Sequence, residues 1–489
     1  MVEWSWSIMG SNDYHQMADF GQIKGVNVPS RTDGVTRKAT RPPKPPSYEK
    51  GEEKGGVTVY RHLPKLDIPD KGQGTSHEIP MKIRGSKGLK VAFLARGVGG
   101  VASVPFNMSD RRSNDNTTSY AYRTVTDQWR PLVYFCDRFR YNSNLNRVAA
   151  NTDYANIRFH GNNTGGKGAL HLRHVAVYRG EDTAPPSAPT GLKAKAGAAG
   201  IRLTWTEPAD NVAVASYAVS RAGQDGKFKK IAHVYVNEYV DRPVEAGKHT
   251  YRVLAVDFQD NLSPWSKTAS ARGTKTFQAP KPSDLQTDRA GYADNVRKIA
   301  AAGKVRKGWV LCFGDSITGA TSYRVFTESA LGQYRVDANG RAGWTTGGCR
   351  KVIESDLKRS NPQFCLIMLG TNNSKNPKAL PQAMDDLLFM AKACAANGTV
   401  PIITTIPPRG FGDPASKPEA GYNDLLIKTC RDNKIPIAYT FKAFQAGGDR
   451  RKLLAGDGVH LVDGGWAVTG PAWRAALEQV NFVLLDRPD

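Results

Sequence analysis

Up to residue 182 the hydrophobic and polar positions fall into short, β-like segments, as in "LKVAFLARG", "WRPLVYFCDRF", "ANIRFHG" and "LHLRHVAVYRG". β-Branched and aromatic residues fill them, and Gly, Asn and Asp separate them, so the pattern predicts strands and no sustained helix. A β-sandwich over residues 1–182 is expected. "EDTAPPSAPTG" interrupts the pattern, because its prolines prevent a strand or helix from continuing. Residues 185–274 then show the size and strand spacing of a second, smaller sandwich, with Trp205 on one strand and Tyr217 on a later one. From residue 285 to 489 the texture changes. Helix-like "GYADNVRKIAAAGK" leads into the unbroken apolar runs "WVLCF", "FCLIML", "VPIITTI" and "IPIAYT", with longer helical stretches between them. Fully apolar strands alternating with helices predict a three-layer α/β domain whose parallel sheet is covered on both faces.

Composition narrows the partners more than the fold. The 489 residues exceed one ordinary core, and 40% hydrophobic with 23% charged residues is a globular balance. The formal charge of +23 favours acidic partners such as nucleic acid, anionic lipid or an acidic polysaccharide. No zinc finger, RNA-recognition signature or basic zipper supports nucleic acid. A basic, Pro- and Gly-rich stretch over residues 30–56 reads as an extended segment. No apolar run is long enough to span a bilayer, and "MVEWSWSIMG" lacks the pattern of a signal peptide. Cys312 and Cys365 lie inside apolar runs and no CxxC spacing occurs, so buried thiols are expected rather than a disulfide framework or metal site.

The candidate chemistry lies at the ends of the apolar runs in the last domain, where parallel sheets place their sites. "FGDSITGA" puts Ser316 directly after one run, and "FCLIMLGTNNS" puts Asn372 and Asn373 after another. "DANGRAGWTTGG" carries Gly343 and Trp344 in a loop, and "LAGDGVHLVDGGW" holds Asp457 and His460. Each fragment alone is an ordinary turn. Together they supply a nucleophile, a base, an orienter for that base and oxyanion donors. Of nine histidines, His460 alone falls in the last domain, so a histidine base has no other candidate there.

These fragments, in this order over residues 305–485, resemble the SGNH or GDSL-type hydrolases. The resemblance implies Ser316 as nucleophile, His460 as base and Asp457 as its partner. It implies an oxyanion hole from the N–H groups of Ser316 and Gly343 and the side-chain amide of Asn372, with no metal or organic cofactor. Asn373 stands where the family usually has Asp, and "GTNN" with the later "IPPRG" is closer to the catalytic subunits of platelet-activating-factor acetylhydrolase. Trp344, Asn373 and Arg409 are candidate substrate contacts. Trp344 reads equally as a wall of the acyl pocket or a packed aromatic; Arg409 reads first as a solvated loop arginine, and otherwise as a group at the site mouth that meets an anionic substrate.

The stretch "DNVAVASYAVSRAG" makes the middle region similar to a fibronectin type III domain. The strand around Trp129 and the closing "HVAVYRG" resemble the carbohydrate-binding jelly rolls attached to bacterial hydrolases. Trp129, Tyr122 and Tyr134 either stack on sugar rings or pack in the core. That architecture implies an O-acetyl esterase acting on an acylated, by charge an acidic, polysaccharide at an extracellular site or cell surface. A lipase or lysophospholipase of the same fold, and a glycan-binding or structural surface or virus-particle protein, remain the alternatives.

Overall fold

The computed structural model describes residues 48–69, 76–99, 103–104, 106–110, 116–118, 123–141, 151–160, 168–243, 245–273, 284–319, 331, 334–412, 417–447 and 449–485. Tyr122 and the basic stretch up to residue 47 lie outside them.

The N-terminal region forms two five-stranded antiparallel sheets. One contains Val57–Pro69, Ala169–Arg179, Leu89–Val98 and Arg130–Phe135; the other contains Ser76–Ile83, Phe106–Asp110 and Tyr154–His160. Strand Leu89–Val98 explains how the sheets pack. Leu89, Val91, Phe93 and Ala95 enter the core between the two sheets. Ala92 points the other way, joining Val133, Ala176 and Tyr178 in a cluster with Val212 and Ala213 of the next region. Both faces are covered, and the strand is apolar from Val91 to Ala95, with Lys90 and Arg96 on the Ala92 face. Tyr134 is a core residue, stacked on Phe106 at 4.5 Å between centroids and donating its hydroxyl to the Val104 carbonyl at 3.0 Å. Trp129 is half-buried, with the guanidinium carbons of Arg96 and Arg173 at 5.1 and 4.7 Å from its ring centroid.

The middle region is a two-sheet antiparallel sandwich. Thr190–Gly197, Gly200–Thr206 and Glu238–Asp241 make one sheet; Phe228–Val234, Val214–Ala222, Gly247–Asp257 and Ala269–Gly273 make the other. Trp205 meets Tyr217 edge-on at 5.2 Å in its core. At the junction with the first region, carboxylate oxygens of Asp182, Asp210 and Asp257 lie within 4.8 Å of one another. Burial is the main reason that Asp210 is pushed up to about 6 and Asp257 to about 7.

The C-terminal region is α/β. Helix α1 (Asp284–Ala302) precedes a parallel sheet of β1 (Arg306–Asp315), β2 (Arg335–Arg341), β3 (Pro362–Met368), β4 (Val400–Thr404) and β5 (Ile437–Ala438), in spatial order β2-β1-β3-β4-β5. Among the described residues the further α-helices of the region are α2 (Ser316–Gly319), α3 (Thr346–Arg350), α4 (Ile353–Ser360), α5 (Leu380–Ala396), α6 (Pro418–Asp432), α7 (Thr440–Ala446) and α8 (Asp463–Leu484). Val310 to Phe313 in β1 and Phe364 to Met368 in β3 are buried at every position, as a sheet covered on both faces requires. Sheet order reverses between β1 and β3, and in parallel sheets the carboxyl ends at such a reversal are where sites form. Leu485, just past α8, joins a cluster with Ala218, Leu254 and Val256 of the middle sandwich.

All six cysteines are buried, and none forms a disulfide. Among the described residues no helix is long and apolar enough to cross a membrane.

Candidate active site

Three adjacent strand ends deliver three of the sequence-derived groups. β1 runs into α2, which begins at Ser316; the loop after β2 carries Gly343; the loop after β3 carries Asn372. Gly343 has φ +75°, and a Cβ there would meet nothing within 4 Å. Glycine is needed for the left-handed backbone rather than for space. Gly370, at φ +125°, is required for both reasons, since a Cβ would lie 2.1 Å from the Tyr422 ring. The Asn372 side chain donates to the Trp344 carbonyl at 2.9 Å, so one hydrogen bond ties the Asn372 loop to the Gly343 loop.

The turn before α8 carries the remaining pair. Asp457 Oδ1 accepts the backbone N–H groups of Val459 at 2.9 Å and His460 at 3.1 Å, which closes the turn. Its Oδ2 lies 2.6 Å from His460 Nδ1, and His460 Nε2 lies 2.9 Å from Ser316 Oγ. Burial is the largest single influence on Asp457 and pushes it up. The hydrogen bonds from the imidazole and the two backbone N–H groups together outweigh it and bring the carboxyl down to about 2. A carboxylate beside Nδ1 requires the proton on that nitrogen, which leaves Nε2 to accept from the serine hydroxyl. The backbone around the imidazole is fixed by Ala455 N–H donating to the His460 carbonyl at 2.8 Å.

Ser316 is preceded by Asp315, which is 1% exposed and accepts the Ile317 N–H at 3.0 Å, shaping the strand-to-helix turn. Burial is the main influence raising Asp315 to about 6.

Two of the candidate substrate contacts are turned toward the scaffold. Asn373 is buried against Thr346 at the start of α3. Arg409 donates to the Thr371 carbonyl and pairs with the buried Glu419 on α6, which also accepts the Ser374 hydroxyl at 2.9 Å. Both brace the Asn372 loop from behind. Trp344 is 39% exposed, its ring over the first turn of α3 with the Arg341 guanidinium carbon 5.3 Å from the ring centroid. The supporting residues Thr346, Asp386 and Glu419 carry no local sequence signal, since each acts through a partner distant in the chain. Phe411 and Val462, exposed on neighbouring loops, are likewise invisible to the pattern.

Residues 312–467 match the model of the GDSL-like Lipase/Acylhydrolase family. The chain is 28% identical over 192 residues to the isoamyl acetate-hydrolyzing esterase of Saccharomyces cerevisiae, covering 32% of this chain and 81% of that protein. Similar solved structures include a variant of an acetyl xylan esterase from Geobacillus stearothermophilus, at 19% identity and TM-score 0.30, covering 36% of this chain and 94% of that one. A GDSL-like lipase from Bacteroides thetaiotaomicron aligns at 17% identity and TM-score 0.29, covering 38% and 98%. The C-terminal region of this multidomain chain is a GDSL/SGNH hydrolase domain.

Proposed function

We propose that the chain is a serine esterase that removes short acyl groups, acetyl foremost, from a polysaccharide. The observation that carries this reading is the unbroken chain of contacts from Asp457 through His460 to the Ser316 hydroxyl. Ser316 Oγ attacks the ester carbonyl carbon as His460 Nε2 takes its proton, and Asp457 holds the imidazole and stabilises its charge. The N–H groups of Ser316 and Gly343 and the Asn372 amide stabilise the oxyanion. The intermediate collapses, the C–O bond to the alcohol breaks, and His460 returns the proton to the departing alkoxide oxygen. Water, deprotonated by His460, then releases the acid and regenerates Ser316. These steps need no metal or organic cofactor.

The acetyl preference draws support from the yeast relative, whose name describes acetate-ester hydrolysis. The glycan draws support from architecture: a first sandwich of jelly-roll type and a fibronectin type III-like spacer suit an enzyme working on a large polymer. A charge of +23 suits an acidic one. Acetate release from acetylated polysaccharides, and hydrolysis of short- and long-chain aryl esters, test the reading against Ser316→Ala. Release by the intact chain and its loss in the variant are expected. Activity rising with acyl length would favour a lipase, and no release from any ester by a folded chain would overturn the proposal.

A further inference from the structure

Among the described residues three large apolar side chains stand exposed: Trp344 at 39%, Phe411 at 44% and Val462 at 37%. Isolated exposed hydrophobics are ordinary surface. Here all three sit on loops around the Ser316–His460 pair, and they divide into two groups by position.

Trp344 follows Gly343 on the oxyanion side, and its carbonyl holds the Asn372 amide. Phe411 and Val462 flank the histidine turn. Gly410 N–H donates to the Gly458 carbonyl at 2.7 Å, and a Cβ on Gly458 would come 3.8 Å from the Phe411 ring. Val462 lies two residues beyond His460, held by its N–H to the Leu453 carbonyl at 3.2 Å.

The chemistry distinguishes the two sides. The departing alcohol oxygen must lie within hydrogen-bond reach of His460 Nε2 to receive its proton, whereas the oxyanion points at Gly343 and Asn372. Groups flanking His460 therefore border the alcohol, and a wall beside the oxyanion hole, away from His460, borders the acyl group. We infer that Phe411 and Val462 form an alcohol-side wall that receives the hydrocarbon face of a sugar ring, and that Trp344 bounds the acyl side and limits its length. The inference rests on the esterase reading above and adds a separate determinant for each half of the ester.

The test uses two substrate series on the full chain. With acetyl held constant, acetylated methyl pyranosides are compared with ethyl acetate. Phe411→Ala and Val462→Ala are expected to lower the ratio of kcat/KM for pyranoside over ethyl acetate about tenfold, with Phe411→Leu between them and the parent. With the alcohol held constant as 4-nitrophenol, Trp344→Ala is expected to raise the butyrate-to-acetate ratio about tenfold. Thermal melts check that each variant folds. Variants that change both substrates by the same factor, or a Trp344 change that moves alcohol rather than acyl selectivity, overturn the inference while leaving the esterase reading intact. A folded parent inactive on every ester overturns both.

Discussion

Asn373 holds Thr346 at two points, its Oδ1 accepting the Thr346 N–H at 3.1 Å and its Nδ2 donating to Thr346 Oγ1 at 3.2 Å. Thr346 donates its hydroxyl to Asp386 Oδ2 at 2.9 Å, and Arg350 pairs with the other Asp386 oxygen at 3.1 Å. The relay fixes the start of α3 to the loop that carries Asn372. Asn373→Asp would leave two carboxylates facing one hydroxyl proton in a buried site. We expect a loss of about 1–3 kcal/mol in urea denaturation. Unchanged or increased stability would refute the assignment of the relay.

Asn372 has one visible task, holding Trp344, and one proposed task, donating to the oxyanion. Asn372→Ala should lower kcat on an aryl acetate by about 10²–10³ with a much smaller effect on KM. Steady-state kinetics decide this. A rise in KM with kcat preserved would make the residue a loop brace only.

Gly343 and Gly370, both with positive φ, should respond differently to alanine. At Gly343 space is open and only the left-handed backbone is strained, a cost of about 1–2 kcal/mol. At Gly370 the added methyl would strike Tyr422, whose hydroxyl is already bonded to the Leu369 carbonyl at 2.9 Å. We expect Gly343→Ala to fold with a modestly lower melting temperature, and Gly370→Ala to lose considerably more or fail to fold. Equal melting temperatures would contradict this contrast.

The acidic trio at the junction of the two sandwiches should make stability depend on pH. Asp210 Oδ1 is buried without a hydrogen-bond partner, near the oxygens of Asp182 and Asp257. Its folded-state value of about 6 stands above the ordinary carboxylate value. The protonated form is therefore favoured by folding, and this stability is full below about pH 4 and lost as pH rises through about 6. An amide at this position would donate to the neighbouring carboxylates. Asp210→Asn should thus exceed the parent in denaturation midpoint at pH 8, with the gap closing toward pH 5. A gap independent of pH, or a variant weaker at pH 8, would refute the sign.

The C-terminal sheet is legible in the sequence because Val310 to Phe313 in β1 and Phe364 to Met368 in β3 are buried on both faces, so these runs are apolar throughout and no period has to be judged. His460 is legible for a simpler reason: no other histidine lies in that part of the chain. Tyr134 is harder, since an aromatic on a sandwich strand reads alike for core and surface until the register is known. The Asn373–Thr346 pairing joins two turns, and turns have no periodicity to reveal their partners. Phe411 sits in the Pro- and Gly-rich loop "IPPRGF", where nothing local reports that Gly410 meets Gly458. Arg409 is similarly opaque, because its Glu419 partner lies on a helix beyond the loop.

Ala92, Val133, Ala176 and Tyr178 close against Val212 and Ala213. Leu485 closes against Ala218, Leu254 and Val256. A cut through the proline-rich connection would sever few covalent links yet leave two greasy scars, one on each fragment. A catalytic fragment beginning at α1 would carry another at its far end. Such pieces would stick to one another or to themselves, so poor solubility of a trimmed enzyme would say more about these seams than about the folding of its α/β core.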